Sequence, residues 1–560
     1  MSRVATLLGL VGRAPTVLRT VAALRPAQAR AQLAHLWTGV RAPVRLDGAD
    51  TTLAVAAPAT PFLPPAPHVG VEAGPEGRLA LELLALDLAL SPGEIDWTTD
   101  RHGPLFAYHL HEQAWLRHAS VSPGGRQAVI EDWLANHPSG IGWDPHPISL
   151  RLLSWGKLLL TEGALPADEA LRARLRRSMA DQAETLALGL EVRLQANHLL
   201  SNRIGVVFAG LLFEGACADR WRAESDALLA EFASQIHRDG GHEERSPMYH
   251  ALILENGLDL LNLARATPRA PAGFVTALEG VLRRMVEALA LYTGPDGRIL
   301  LFADAAWDVA AEPASLFDYA MRLGVVDAVP STADGVLRFG ESAYHRIEQG
   351  PFVLVASTGG PAPRHQPGHA HCDALAFELF VEGRRLVSDT GVFEYRPGPR
   401  RDRARATTSH ATLAFDGVEQ SEVWSAHRVG GRAQVEQGAL AADGFVLAVR
   451  GWSRGAPRHE RAVHVSPDHV SLRDRVADAG HAVESRLPIA PEWSVEVSGD
   501  RARCRHEAGD LEVEIRMDGP LVWTVERAAF YPGFHREVER DVLVGRGHTA
   551  LTSTIGFRIL

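Results

Sequence analysis

Lysine is almost missing from this chain: of its 57 basic side chains one is Lys157 and the other 56 are arginine, which with the abundant alanine reflects genome base composition rather than function. Cysteine is scarce too. Cys217, Cys372 and Cys504 are too few and too far apart for a disulfide scaffold, and they leave the compartment open. No apolar span reaches the ~20 residues needed to cross a membrane. The short run VATLLGLVG stops at Arg13 without a small-residue cleavage site, so no clear signal peptide is present and both a cytoplasmic and a periplasmic location stay open. Positive charge is in deficit: a formal net charge of −11 and a pI near 6.1 argue against a general nucleic-acid binder. A polyanionic partner would have to find a local basic patch. The Arg-punctuated stretch from Arg3 to Arg30 fits either an amphipathic helix on a membrane surface or a helix packed on its own domain.

What is present is ordinary for a folded protein, with 46% hydrophobic and 22% charged residues. A chain of 560 residues exceeds what one core serves, so two large domains are expected. From about Ala27 to Leu323 apolar residues recur at three- and four-residue spacing, as in Leu186, Leu190, Leu194 and His198, then Leu199, Ile204, Phe208 and Leu211, and again in MYHALILENGLDLLNLARA. Past residue 330 the period becomes two, in AYHRIEQGPFVLVAST, RAVHVSPDHVSLRDRV and LEVEIRMDG, which predicts an antiparallel sandwich. The expected division is an N-terminal helical segment over 1–99, a helical toroid or solenoid over 100–329 and a β-sandwich over 330–560, with the boundary near Val329-Pro330.

The stretch from His365 to His410 concentrates the chemistry. It holds His369, His371, Asp373, Asp389 and His410, plus five arginines from Arg396 to Arg405. AHCDALAFELFVEGRRLVSDTG reads as two strands around a tight turn at Glu382-Gly383, and an extended approach to it would put His369, His371 and Asp373 on one face. His371, Asp389 and His410 make a possible Zn²⁺ set, because two imidazoles and a carboxylate bind at about 2.0–2.2 Å and leave one position open; the alternative is a hydrogen-bonded cluster. The arginine run, Arg400 and Arg401 above all, is either a substrate patch or a solvated loop. Glu243, Glu244 and Arg245 read as a local salt-bridged cluster.

PGHAHCDALAFEL, DTG and SHATLAFDG resemble the C-terminal domain of the heparinase II/III-like polysaccharide lyases, whose usual form is close to PGHxHxDxLSFEL, DxG and HNTL. Cys372 stands where a small residue is usual and Ala411 where Asn is frequent, and neither change removes a candidate ligand. FAYHLHEQAWL, GWDPHPISLRLLSW, NHLLSNRIGVVFAG and DGGHEERSPMYH resemble, in order, four blocks of the members associated with bacterial exopolysaccharide loci. The resemblance implies a multidomain α+β protein: an incomplete α/α toroid followed by an antiparallel β-sandwich that closes over the toroid cleft. It further implies a periplasmic enzyme, a structural Zn²⁺ and an anionic, uronate-containing polysaccharide as partner.

Matching positions then supply roles. A lyase acting on a uronate must neutralise the carboxylate, remove the proton at C5 and protonate the oxygen leaving C4. Asn197, His198 and His369 are the candidates for the carboxylate, and Tyr249 for base and acid. Its phenol must be lowered from ~10 for the base role, with Arg245 or His250 as possible causes. Arg245, Arg400 and Arg401 are the candidate substrate-binding arginines. Two other classes remain: a glycoside hydrolase using Glu244 and Asp373, since a fold does not settle a function, and a catalytically reduced glycan-binding protein of a polysaccharide-export system.

Overall fold

The computed structural model describes residues 13–38, 42–66, 69–74, 78–99, 101–332 and 340–560. The apolar run at 4–12 and the start of the Arg3–Arg30 stretch lie outside them. Among the described residues no helix is long and apolar enough to cross a membrane. The architecture is multidomain α+β: helices wind through the first half, the last of them Pro313–Arg322, and strands build the second half from Tyr344 onward.

The helical half packs in antiparallel pairs. Helix Pro145–Leu160 lies against Glu169–Leu188 and Ala196–Leu212, and Pro247–Ala266 against Phe274–Tyr292. Two glycines set one approach: a Cβ on Gly205 would sit 2.9 Å from the Ser149 backbone, and one on Gly156 would run into the Phe208 ring. Leu186, Leu190, Leu194 and His198 do not share one helix. Their series is broken after Leu188 and restarts at Ala196, with Gln195 and Ala196 in the left-handed region at φ 64° and 48°. That bend aims Asn197 and His198 inward from a helix start.

One segment departs from the helical expectation. β1 (Gly70–Ala73), β2 (Leu79–Leu83) and β3 (Leu86–Leu90) form a three-stranded antiparallel meander. LALELLALDLAL carries leucines at both helical and strand spacing; the turn at Leu84-Ala85, with φ 51° and 58°, resolves the ambiguity by turning the chain back after Leu83. The meander touches the second half, where His535 Nδ1 meets the Leu84 carbonyl at 3.1 Å.

The second half starts with a four-stranded sheet of β4 (Tyr344–Gln349), β5 (Phe352–Ser357), β6 (Phe377–Val381) and β7 (Arg384–Val387). Phe377, Leu379 and Val381 join the sandwich core, while Phe380 packs with Leu291 and Tyr292 of the toroid. Being buried on both faces, this sheet is the mortar between the halves. Glu382 and Gly383, both at positive φ, make the hairpin turn. Beyond it an eight-stranded sheet, bounded by Gln434–Ala441 and Trp493–Ser498, encloses a core with a second four-stranded sheet that includes Arg536–His548. Helix Ala14–Val21 straps across: Thr16 donates to Glu422 at 2.7 Å and Trp424 Nε1 donates to Thr20 at 3.1 Å.

Candidate functional site

A cleft of about 590 Å³ lies where the two halves meet, lined by Asn197, His198, Glu244 and Tyr249 from the toroid and by His369 and Tyr395 from the sandwich side. Tyr249 rests on the first turn of helix Pro247–Ala266. Ser246 caps that helix by accepting from the Tyr249 N–H at 3.3 Å, and its own hydroxyl donates to the Asp304 carbonyl at 2.7 Å. The Tyr249 ring stacks on His369 with centroids 4.0 Å apart, and its hydroxyl meets that of Tyr395 at 3.0 Å. Asn197 Nδ2 lies 3.5 Å from His369 Nε2, so residues 172 positions apart share one surface.

His369 and His371 both lean on one carboxylate. Asp304 Oδ2 meets His369 Nδ1 at 2.8 Å, its Oδ1 meets His371 Nε2 at 2.8 Å, and the guanidinium of Arg401 clamps both oxygens. Those cationic and donor partners hold the Asp304 carboxyl far below the usual range despite complete burial. An ionised Asp304 accepts a hydrogen from His369 Nδ1, which leaves Nε2 as the ring nitrogen on the cleft side. The backbone closes the arrangement, the Asp304 N–H donating to the His369 carbonyl at 3.0 Å.

Glu244 is the second buried acid. Asn197 Nδ2 donates to both its oxygens at 3.0 and 2.8 Å, and His369 Nε2 is 3.9 Å away. Burial raises its pKa against the opposing pull of His369 and Asn197. His198, at the helix start, pairs through Nδ1 with Glu191 at 3.0 Å and stacks on His146 at 4.4 Å; its pKa is raised by Glu191 in spite of burial. Tyr249 moves the other way from what a phenolate needs: burial pushes its hydroxyl above the usual value, outweighing the bond from Tyr395. Non-glycine residues in the left-handed region adjoin three of these groups, Ala196 beside Asn197, Arg245 beside Glu244 and Ala303 beside Asp304. Each costs about 1–3 kcal/mol, a cost commonly found around functional sites.

His371, Asp389 and His410 also come together, each offering one ligand atom within 4.8 Å of the others, all three buried. Asp389 accepts from His410 Nδ1 at 2.9 Å, and Asp304 holds His371 Nε2. The opposite nitrogens, His371 Nδ1 and His410 Nε2, are buried with no hydrogen-bond partner among the described residues. Two buried ring nitrogens without partners, in a group with a carboxylate, match the donor set of a Zn²⁺ site, with Asp389 also accepting from the other nitrogen of His410.

Several placements differ from the sequence reading. Residues 369–373 are irregular rather than extended, and Asp373 does not share the surface of His369. Arg401 is fully buried on Asp304, Arg400 is exposed and pairs with Glu537 at 2.9 Å, and neither lines the cleft. Arg245 also stays outside, donating to the Gly360 carbonyl at 2.9 Å. Glu243, Glu244 and Arg245 form no salt-bridged cluster, because the turn at Arg245 sends the three side chains apart. The cleft residue missed outright is Tyr395; Asp304 was missed beneath it. The only signals were an acid inside the apolar run ILLFADAAW and a tyrosine six residues past Asp389.

Two family models match successive parts of the chain. Residues 164–321 match the family described as Heparinase II/III N-terminus, and 332–558 match Heparinase II/III-like, C-terminal. Similar sequences include a heparin-sulfate lyase of Pedobacter heparinus, 26% identical over 321 residues (51% of this chain, 47% of that protein), and one of Bacteroides stercoris, 24% identical over 253 residues (41% and 37%). The chain thus spans less than half the length of these curated relatives. In three dimensions it resembles a crystal structure of heparinase III, with a TM-score of 0.67 at 17% identity, covering 84% of this chain and 80% of that one. A heparan sulfate lyase HepC mutant from Pedobacter heparinus aligns with a TM-score of 0.59 at 20% identity and the same coverage.

Proposed function

Because the chain belongs to the heparinase II/III-like family, we propose that it is a polysaccharide lyase, cutting a uronate-containing polymer by β-elimination. The observation that carries this reading is the convergence of Asn197, His198, Tyr249 and His369 on one cleft wall from two halves of the chain. Asn197 can give its second amide hydrogen to a substrate carboxylate while Glu244 holds the first. A Glu244 that is easily protonated can share that proton with the same carboxylate, and His198 supplies a cationic donor.

The geometry divides the proton work. Tyr249 is held as a neutral phenol, which suits it to give a proton to the oxygen leaving C4. His369, with Asp304 on Nδ1, presents the basic Nε2 for the C5 proton, the same orientation logic as a carboxylate–histidine pair in acyl transfer. The electron pair of the C5–H bond then becomes the C4–C5 double bond as the C4–O bond breaks. His371, Asp389 and His410 would hold Zn²⁺, a structural charge that fixes this wall from behind. A bacterial exopolysaccharide is the polymer class suggested by the sequence blocks. Incubating the protein with a panel of uronic-acid polymers and following ultraviolet-absorbing unsaturated product tests the reading; cleavage to saturated ends alone would mean hydrolysis. Asp373, needed for that alternative beside Glu244, is not a cleft residue.

A further inference from the structure

The cleft carries no surplus of positive charge, which bears on what polymer it accepts. Three fixed cations line it, Arg117, Lys157 and Arg396, against four carboxyls, Glu112, Glu244, Glu255 and Glu394. The cations are also engaged: Arg117 donates to the Leu63 carbonyl at 2.6 Å, Lys157 is ion-paired with buried Asp259, and Arg396 donates to the Arg101 carbonyl at 2.9 Å. Histidines bring the tally level and no further: counting His109 and His198 as cations and adding Glu191, the partner of His198, gives five against five. Burial lowers His102, His146, His427 and His535, while His109 and His198 each face a carboxylate, Glu112 at 3.2 Å and Glu191 at 3.0 Å. Of the arginine run only Arg396 reaches the cleft; Arg401 is turned to Asp304 and Arg400 to Glu537.

From this we infer that the substrate is an unsulfated uronan, a chain whose only anions are its sugar carboxylates; the inference rests on the lyase reading above. One carboxylate has a prepared place at Asn197, Glu244 and His198. A sulfate on a neighbouring sugar would be stripped of water in a cleft whose carboxyl groups outnumber its fixed cations, and a buried anion without a matching partner is strongly disfavoured. The remaining wall offers Tyr108, Tyr395 and Phe534 rings and neutral imidazoles, which suit sugar faces and hydroxyls.

The test is calorimetric titration of the Tyr249→Phe protein with two tetrasaccharides of one uronate-containing backbone, one unsulfated and one sulfated, at low and high salt. The unsulfated probe should bind at least about tenfold more tightly, with little salt dependence, and Glu394→Lys should narrow the gap several-fold. Equal or tighter binding of the sulfated probe with steep salt dependence overturns the inference, as does absence of binding by the unsulfated one. Ultraviolet assays of the unsubstituted protein separate the two claims. Product from sulfated polymer alone defeats the charge argument and keeps the lyase; tight unsulfated binding without unsaturated product does the reverse.

Discussion

His369 and His371 stand two residues apart and share a carboxylate, yet they belong to different worlds. His369 keeps one nitrogen on Asp304 and turns the other to an open cleft, stacked under Tyr249. His371 also spends one nitrogen on Asp304, but its other nitrogen faces inward toward His410 and Asp389 with no hydrogen-bond partner. The residue types are the same; what differs is where the second nitrogen points. A ring nitrogen facing a cleft can meet substrate, whereas a buried one without a partner calls for another explanation, and the proposed Zn²⁺ supplies it. Asp304 ties the two, so damage to either cluster should reach the other through it.

The largest expected effect separates the reagent side from the rest. Tyr249→Phe keeps the ring over His369 and removes the proton, so turnover on a polymer the parent cleaves should fall about 10²–10⁴-fold with thermal stability little changed. Asn197→Ala should cost a comparable factor, and the double variant should lose less than the product of the two, since both act on one transition state. Near-native kcat in Tyr249→Phe would move the acid role to Tyr395, its hydroxyl partner at 3.0 Å.

Next in size is the clamp on Asp304. Arg401→Ala leaves a buried carboxylate without its guanidinium, a loss of about 3–5 kcal/mol of stability for a broken buried pair. Arg400→Ala removes an exposed pair worth at most about 1 kcal/mol. A melting temperature that drops for the first and barely moves for the second is the expected result. If instead both raise KM with a salt-dependent slope and leave stability alone, the arginine run touches substrate after all.

Behind the clamp lies the proposed metal site. Protein purified without chelator should contain about one equivalent of Zn²⁺, and His410→Ala should lose it together with thermal stability, because metal bound only by the folded chain stabilises that fold. Metal content near zero in the parent would reduce the triad to a hydrogen-bonded cluster, at odds with its two orphaned nitrogens.

How much of this was readable beforehand follows from whether the signal was local. The change of period from 3.6 to 2 announced a helical half and a sheet half, since each side chain's burial depends on its own element. LALELLALDLAL satisfied both periods, and only the turn at Leu84-Ala85 decided it. The motif residues Asn197, His198, Tyr249 and His369 were legible as a set. Asp304 was not, because its importance arises only where Arg401, His369 and His371 arrive from separate segments. Arg401 and Arg405 look like solvent-facing charges in a run of five, and both are buried on acceptors supplied by distant loops. A charge pattern shows that arginines are present and not which way they turn.

The subtlest effect compares two adjacent acids, Glu244 in the cleft lining and Glu243 outside it. Glu244 has Asn197 as a donor, whereas Glu243 is buried with an oxygen that finds no hydrogen bond and with Arg25 only at 3.8 Å. Burial, and after it the charge of Glu244, push the Glu243 carboxyl up to about 8. Its neighbour His365 stays neutral through that range, lowered by burial to about 4. The folded chain therefore holds the Glu243 proton more firmly than the unfolded chain does. Its contribution to stability is complete below the unfolded value of about 4.3 and is lost as pH climbs toward 8. Glu243→Gln keeps a neutral side chain of the same size at every pH, so its melting temperature should fall less than the parent's between about pH 5 and about pH 8. The two melting curves, followed by calorimetry across that window, should diverge toward the alkaline end. Parallel curves would mean that Glu243 ionises freely where it sits, and the contrast with Glu244 would then rest on hydrogen bonding alone.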